Sequence, residues 1–146
     1  MKAFRFRLDR LLDLRRRREE AAQRDLAEAM RAVRDQNGKL LGMMAARDEG
    51  KAALRAMRMK ELDLGRLRLQ EDYLESLERK IRVEFDRLQE LVRSEIGKRH
   101  ALTEAVRGVK VLERLRERRL QEWTRGADRE ERKTLDEVAR GMERAV

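Results

Sequence analysis

The chain has 146 residues, of which 46% are charged and only 3% aromatic, and it contains no proline. A compact globule of this length draws on several buried aromatics and on loops punctuated by Gly and Pro, so these proportions exclude one and point to a single domain, residues 1–146, of another kind. Disorder is excluded too. The apolar residues are spaced rather than scattered, and the 38 basic and 29 acidic residues behind the net charge of +9 alternate along the chain. Ala, Glu, Lys, Leu and Arg at helical spacing are the composition of long helices, which makes the fold class all-α. With no cysteine, disulfides and thiol chemistry are unavailable, and a reducing cytoplasm is the expected location.

In chain order, the segment Lys2 to Arg7 carries a charge at every second or third residue, with no apolar run behind it. No secretory leader is expected there, and no window approaches the roughly 20 apolar residues of a membrane span. Leu8, Leu11 and Leu12 open an apolar face that Arg15 to Arg18 interrupt. From Leu26 the steps Met30, Val33, Asn37, Leu40 and Met44 follow a heptad, with Asn37 at a seam position where a polar residue fixes register. A second ladder runs through Leu74, Leu77, Ile81, Phe85, Leu88 and Val92, then Leu102, Val106 and Val109, and on to Leu120 and Trp123. The successive steps of four at Leu77, Ile81 and Phe85 predict a stutter. Glu95 and Arg99 predict a weak stretch of seam.

Two ladders in one chain require a reversal. Asp63-Leu64-Gly65 separates them and changes their phase, which places a turn near residues 61–66, with Gly50 the next candidate. Helix one then covers about residues 5–60 and helix two about 66–143, packed as an antiparallel coiled-coil hairpin. This register sets Leu12 opposite Leu115, Val33 opposite Val92 and Met44 opposite Ile81, and leaves helix two overhanging beyond Trp123.

Chemistry-bearing constellations are missing. His100 has no second His and no Cys to share a metal, no phosphate-cradling glycine loop is present, and the carboxylates lie on exposed faces. No catalytic, metal or cofactor residue is expected. Arg15 to Arg18 cover every side of a helix turn, which suits a solvated turn as well as an anion patch. Phe4 and Phe6 suit either a staple at the helix start or an insertion tip. Tyr73 lies beside the Leu74 ladder, with Leu77 four residues on, and Trp123 closes the second ladder, a position for an anchor.

The opening Phe4-Arg5-Phe6-Arg7-Leu8-Asp9-Arg10-Leu11-Leu12 and the tail Lys133-Thr134-Leu135-Asp136-Glu137-Val138-Ala139 resemble the two ends of the FliJ family of the bacterial flagellar export apparatus. The resemblance covers essentially the whole chain. It implies a non-enzymatic, stalk-like antiparallel coil that sits in the hexameric export ATPase, contacts the linker of the membrane export gate, and in some members recycles export chaperones. By position, Tyr73, Leu77, Lys80 and Glu84 would face the gate, although Lys80 and Glu84 depart from the small residue and histidine of some relatives. Phe4, Phe6, Arg7 and Arg10 with Lys133, Leu135, Asp136 and Glu137 would face the ATPase. The implied location is the cytoplasmic face of the inner membrane at the flagellar base, with neither membrane insertion nor nucleic-acid binding. Other readings of the residues are a cytoplasmic helical holdase, a basic nucleic-acid-binding coiled coil and an ATPase stator arm, of which the interleaved acids argue against the second and the basic charge against the third.

Overall fold

The computed structural model describes residues 2–60 and 63–146. They form two helices, α1 (Asp9–Met59) and α2 (Leu64–Ala145), packed against each other. The turn expected at residues 61–66 is shorter. Leu64, Gly65 and Arg66 already belong to α2, while Glu61 and Leu62 lie outside the described residues. Asp63, rather than a left-handed glycine, organises the restart. Its Oδ1 accepts from the backbone N–H of Gly65 (3.1 Å) and Arg66 (3.4 Å), and its carbonyl accepts from Leu67 N–H. That is an N-cap, which satisfies donors the first helical turn leaves unpaired. No described glycine has positive φ. At the other end α1 begins at Asp9, later than expected. Residues 2–8 form a non-helical strap, and Asp9 sits in the first turn, where its negative charge suits the helix dipole.

The chain divides into two compact units, Met1–Ala21 with Thr103–Val146, and Ala22–Leu102. In the second, Lys39 pairs with Glu84 (3.1 Å), Lys51 with Glu78 (3.6 Å) and Arg58 with Glu71 (3.1 Å). Residue numbers rise on one helix as they fall on the other, so the packing is antiparallel. Among the covered positions, one series on α1 runs Leu26, Ala29, Val33, Gln36, Leu40, Met43, Arg47, Gly50, Leu54 and Met57, and one on α2 runs Leu67, Gln70, Leu74, Leu77, Ile81, Glu84, Leu88, Leu91 and Glu95, with Ala32, Met44, Ala46, Glu71, Ser76 and Glu78 partly covered beside them. Both series step by three and four without a break, as a heptad seam does. Leu40, Leu77 and Ile81 form its best-covered cluster, with Met43, Met44, Ala46 and Leu88 packed around it.

Three expectations are corrected here. Asn37 is exposed, and Gln36 beside it is the buried polar residue. No stutter occurs, because Glu84 takes the seam position and Phe85 is 44% exposed. Val92 is likewise outside the seam, with Leu91 covered in its place. At Phe85 an apolar residue next to the seam drew the reading away from Glu84, and at Asn37 and Val92 the reading followed the row one residue beyond the seam. Met44 does join the cluster containing Ile81, as the register required. Glu95 is half-buried on the seam and accepts from the exposed Arg99 (2.8 Å).

Polar seam residues are tolerated only when partnered. The Gln36 amide donates both to the Glu84 carbonyl (3.0 Å) and to its carboxylate, and Lys39 adds a further bond to the same carboxylate. Gln36 first and Lys39 second hold the Glu84 carboxyl below its ordinary value of 4.5. Gly50, far from being a turn, is a buried seam residue: a Cβ there would stand 2.7 Å from Leu74 Cδ2, and the Gln70 amide donates to its carbonyl (3.2 Å).

In the first unit, Leu12, Val109 and Leu112 form the core, with Leu8 and Leu11 against it. Arg116 pairs with Asp9 (3.5 Å) and Arg16 with Glu113 (3.4 Å), again antiparallel. Leu12 thus clusters with Val109 and Leu112, the nearer of which lies less than one helical turn from the expected Leu115. Two of the four consecutive arginines have structural partners. The Arg15 guanidinium donates to the Gly108 carbonyl (3.0 Å) and Arg16 reaches Glu113, while Arg17 and Arg18 are exposed.

Two outcomes test this packing. Gly38 has no neighbour within 4 Å of a Cβ, so Gly38→Ala is expected to raise stability by about 0.5–1 kcal/mol through helix propensity. Gly50→Val is expected to lower it by about 1–3 kcal/mol through overpacking, both read from denaturant unfolding followed by circular dichroism. The second outcome concerns pH. A carboxyl whose folded pKa is depressed contributes stability above its unfolded pKa and loses it as pH falls through the folded value. Acid titration from above pH 4.5 downward should therefore destabilise the parent more steeply than Glu84→Gln; parallel curves would remove Glu84 as a contributor.

Candidate functional site

Among the described residues, no cluster of His, Asp and Glu could hold a metal ion, and His100 is an exposed helix residue. The sequence-derived binding residues fall into two groups, one in each unit.

The first group lies in the unit containing the chain ends. The strap turns Phe6 inward, 8% exposed, and lays Phe4 against Trp123 with ring centroids 6.1 Å apart and planes tilted by 57°. Arg116 of α2 covers Phe4, its guanidinium carbon 5.8 Å from the ring centroid, a cation–π arrangement. An open hollow of about 1310 Å³ remains between strap and helix, bordered by Ala3, Phe4, Leu115, Arg119 and Trp123. Phe6 is therefore a staple, and Phe4 joins Trp123 in a partly exposed aromatic pair. Arg7 and Arg10 are exposed. Sequence reasoning named Phe4 and Trp123 separately. Arg116, which ties them together, lay in a run of arginines with nothing to mark it.

From Gln121 to Val146 every residue is exposed except Ala127, which is half-covered. Trp123 packs on Phe4 at its base, and beyond Ala127 the arm, helical through Ala145, is exposed at every residue. It carries Leu135, Val138 and Met142, 62%, 50% and 67% exposed, at helical spacing on one side, with Lys133, Asp136 and Glu137 exposed between them. The strap residues Phe4 to Arg10 and the arm are parts of one unit. Phe4 touches Trp123, whereas Lys133 to Glu137 lie ten residues and more beyond it.

The second group lies in the other unit. Tyr73 is 50% exposed and Lys80 is exposed, seven residues apart and so on one face of α2. Leu77 and Glu84 lie under that face, Leu77 inside the core cluster and Glu84 engaged by Gln36 and Lys39. A shallow groove along Ser76, Arg79, Lys80, Val83 and Glu84 adjoins them. The four residues are thus brought together as a surface pair resting on a seam pair.

Among the described residues no helix is long and apolar enough to cross a membrane. Comparison with known proteins gives one match. The family model described as flagellar FliJ protein fits residues 4–142. No curated protein and no solved structure matches the chain. The matched span takes in the aromatic strap, both helices and nearly all of the exposed arm, and the family is a structural one with no known enzymatic activity. A chain matched over that span, with two long packed helices as its whole described structure, belongs to the FliJ family and is a component of the flagellar protein export apparatus.

Proposed function

We propose that the chain is the non-enzymatic stalk of the export machine. In this reading the C-terminal arm and the neighbouring strap enter the export ATPase hexamer, and the face carrying Tyr73 and Lys80 binds the linker of the membrane export gate. The chain also escorts export chaperones, and it works from the cytoplasmic face of the membrane at the flagellar base. The observation that carries the reading is the unpartnered arm. A single helix in water is marginally stable, and this one exposes Leu135, Val138 and Met142 on one side with charges of both signs around them. Such a helix suits a lumen that supplies a modest apolar contact and a polar wall. Phe4, Phe6, Arg7 and Arg10 are proposed to share the contact with Lys133, Leu135, Asp136 and Glu137, because strap and arm belong to one unit.

The gate contact rests on Tyr73, a large and partly exposed aromatic of the kind that anchors interfaces. Leu77 and Glu84 act there by fixing the seam beneath it, and Lys80 by its charge.

Deleting residues 126–146 is expected to abolish stimulation of ATP hydrolysis by the partner ATPase while leaving the helical signal of the remaining chain cooperative. A truncated chain that still stimulates fully would move the ATPase contact elsewhere. For the gate, Tyr73→Ala combined with Lys80→Glu should weaken binding to the gate linker at least tenfold without changing thermal stability. Leu77→Ala should cost about 2–5 kcal/mol of stability, as a buried truncation does. Unchanged linker binding by the Tyr73/Lys80 variant would release this face from the assignment.

A further inference from the structure

The ion pairs Lys51–Glu78 (3.6 Å) and Arg58–Glu71 (3.1 Å) bring one row of α1 against one row of α2, on the side of the seam away from Tyr73 and Lys80. Rows in a coiled coil repeat every seven residues. From Lys51 the α1 row continues to Met44, Asn37 and Met30; from Glu78 the α2 row continues to Phe85, Val92 and Arg99. The next rows outward hold Leu41, Arg34 and Ala27 on α1 and Arg82, Gln89 and Ile96 on α2.

The composition of this flank is unlike the rest of the chain. Met30, Leu41, Phe85, Val92 and Ile96 are 46%, 57%, 44%, 37% and 50% exposed, with Met44 half-covered beneath them. The polar positions among them are two amides and three arginines, and no carboxylate occurs on the flank, although the chain has 29 acidic residues. By heptad position the nearby acids belong to other rows: Glu28, Asp35 and Glu90 to the far side of their helices, Asp86 to the outermost row beside Arg82, and Glu95 to the seam with Arg99. Beyond Lys51–Glu78 the same rows return to ordinary charged pairs. An apolar strip of this extent, whose own rows carry arginines and no carboxylate, is the signature of an interaction site.

We propose that this flank of the Ala22–Leu102 unit docks an amphipathic helix of a partner protein whose apolar stripe is bordered by Asp and Glu, packing as a third helix on the coil. The strip spans residues 27–44 of α1, so the occupant covers about 27 Å, or roughly five turns. A second copy of this chain is disfavoured as occupant, since it would set Arg34, Arg82 and Arg99 against their own counterparts. The site is separate from the arm, strap and Tyr73 face, and it stands whether or not the stalk reading holds.

The test uses the full chain and two fluorescein-labelled synthetic helices of about five turns, with identical Leu seams flanked by Glu in one and by Lys in the other. Fluorescence anisotropy is expected to show the Glu peptide binding and the Lys peptide at least tenfold weaker. Phe85→Asp with Ile96→Asp should reduce Glu-peptide binding tenfold or more at unchanged helicity. Arg34→Glu with Arg82→Glu should reverse the preference toward the Lys peptide, a result that loss of folding does not produce. Lys80→Glu, on the opposite flank, should leave the preference intact. Equal binding of both peptides, or Glu-peptide binding indifferent to these flank variants, overturns the proposal. So does self-association in sedimentation that the Phe85/Ile96 variant abolishes, which assigns the flank to a second copy. Binding to vesicles of anionic phospholipid in place of the peptide overturns it in favour of a lipid surface.

Discussion

In each unit two helical segments share a strip of contact, and nearly everything the unit buries is buried along it. In a multilayered domain a poor core position is compensated by neighbours above and below; here each seam residue has partners only across the strip. A Leu fully buried on it contributes about 1.5–3 kcal/mol, and few seam positions are filled that way. The buried apolar residues are Leu12, Val109 and Leu112 in one unit and Leu40, Leu74, Leu77 and Ile81 in the other, with Phe6 added by the strap. Between them the seam holds half-covered apolar residues such as Leu26, Val33 and Leu88, together with Ala, Gln, Glu, Arg and Gly. Close approach at Gly50 and the bonded Gln36–Glu84 pair therefore define register as much as the leucines do. A partnered polar pair is costly to slide, because one step would leave an amide or a carboxylate without its partner.

The same constraint explains what the sequence disclosed. Helical class, the number of helices and the region of reversal follow from composition, ladder spacing and the Asp63-Leu64-Gly65 segment, all of which are local signals. The seam itself was half legible. Leu26, Val33 and Leu40 stood out, but the alternate positions Ala29, Gln36 and Met43 were overshadowed by Met30, Asn37 and Met44 one residue later. Heptad reading assumes that the apolar residue marks the seam. Where the seam holds an alanine or a glutamine and the flank holds a methionine, the assumption selects the wrong row by one residue. The false stutter at Phe85 has the same origin, since Glu84 was not eligible as a seam residue by hydropathy.

Site residues were legible to the degree that they were aromatic or part of a motif. Phe4, Trp123 and Tyr73 are prominent in a chain with five aromatic residues, and the structure places all three at least partly in solvent. Their partners could not be foreseen, because an arginine such as Arg116 has many equivalents in the sequence and only the antiparallel register selects it. The exposed arm was legible from register alone: α2 is longer than α1, so its end outruns any partner within the chain.

The aromatic contact at the chain ends has an optical consequence. Trp123 is the only tryptophan in the chain, and it stands at 39% exposure against Phe4, where the packed part of α2 gives way to the arm. Indole emission is sensitive to local solvent and to nearby rings, so the intensity and wavelength of this one fluorophore follow the strap's hold on the helix without any attached label. Lifting of the strap would uncover the indole, and enclosure by another protein would bury it. The molecule thus carries a native gauge at the junction between its packed and unpacked helix, whose signal comes from a single site.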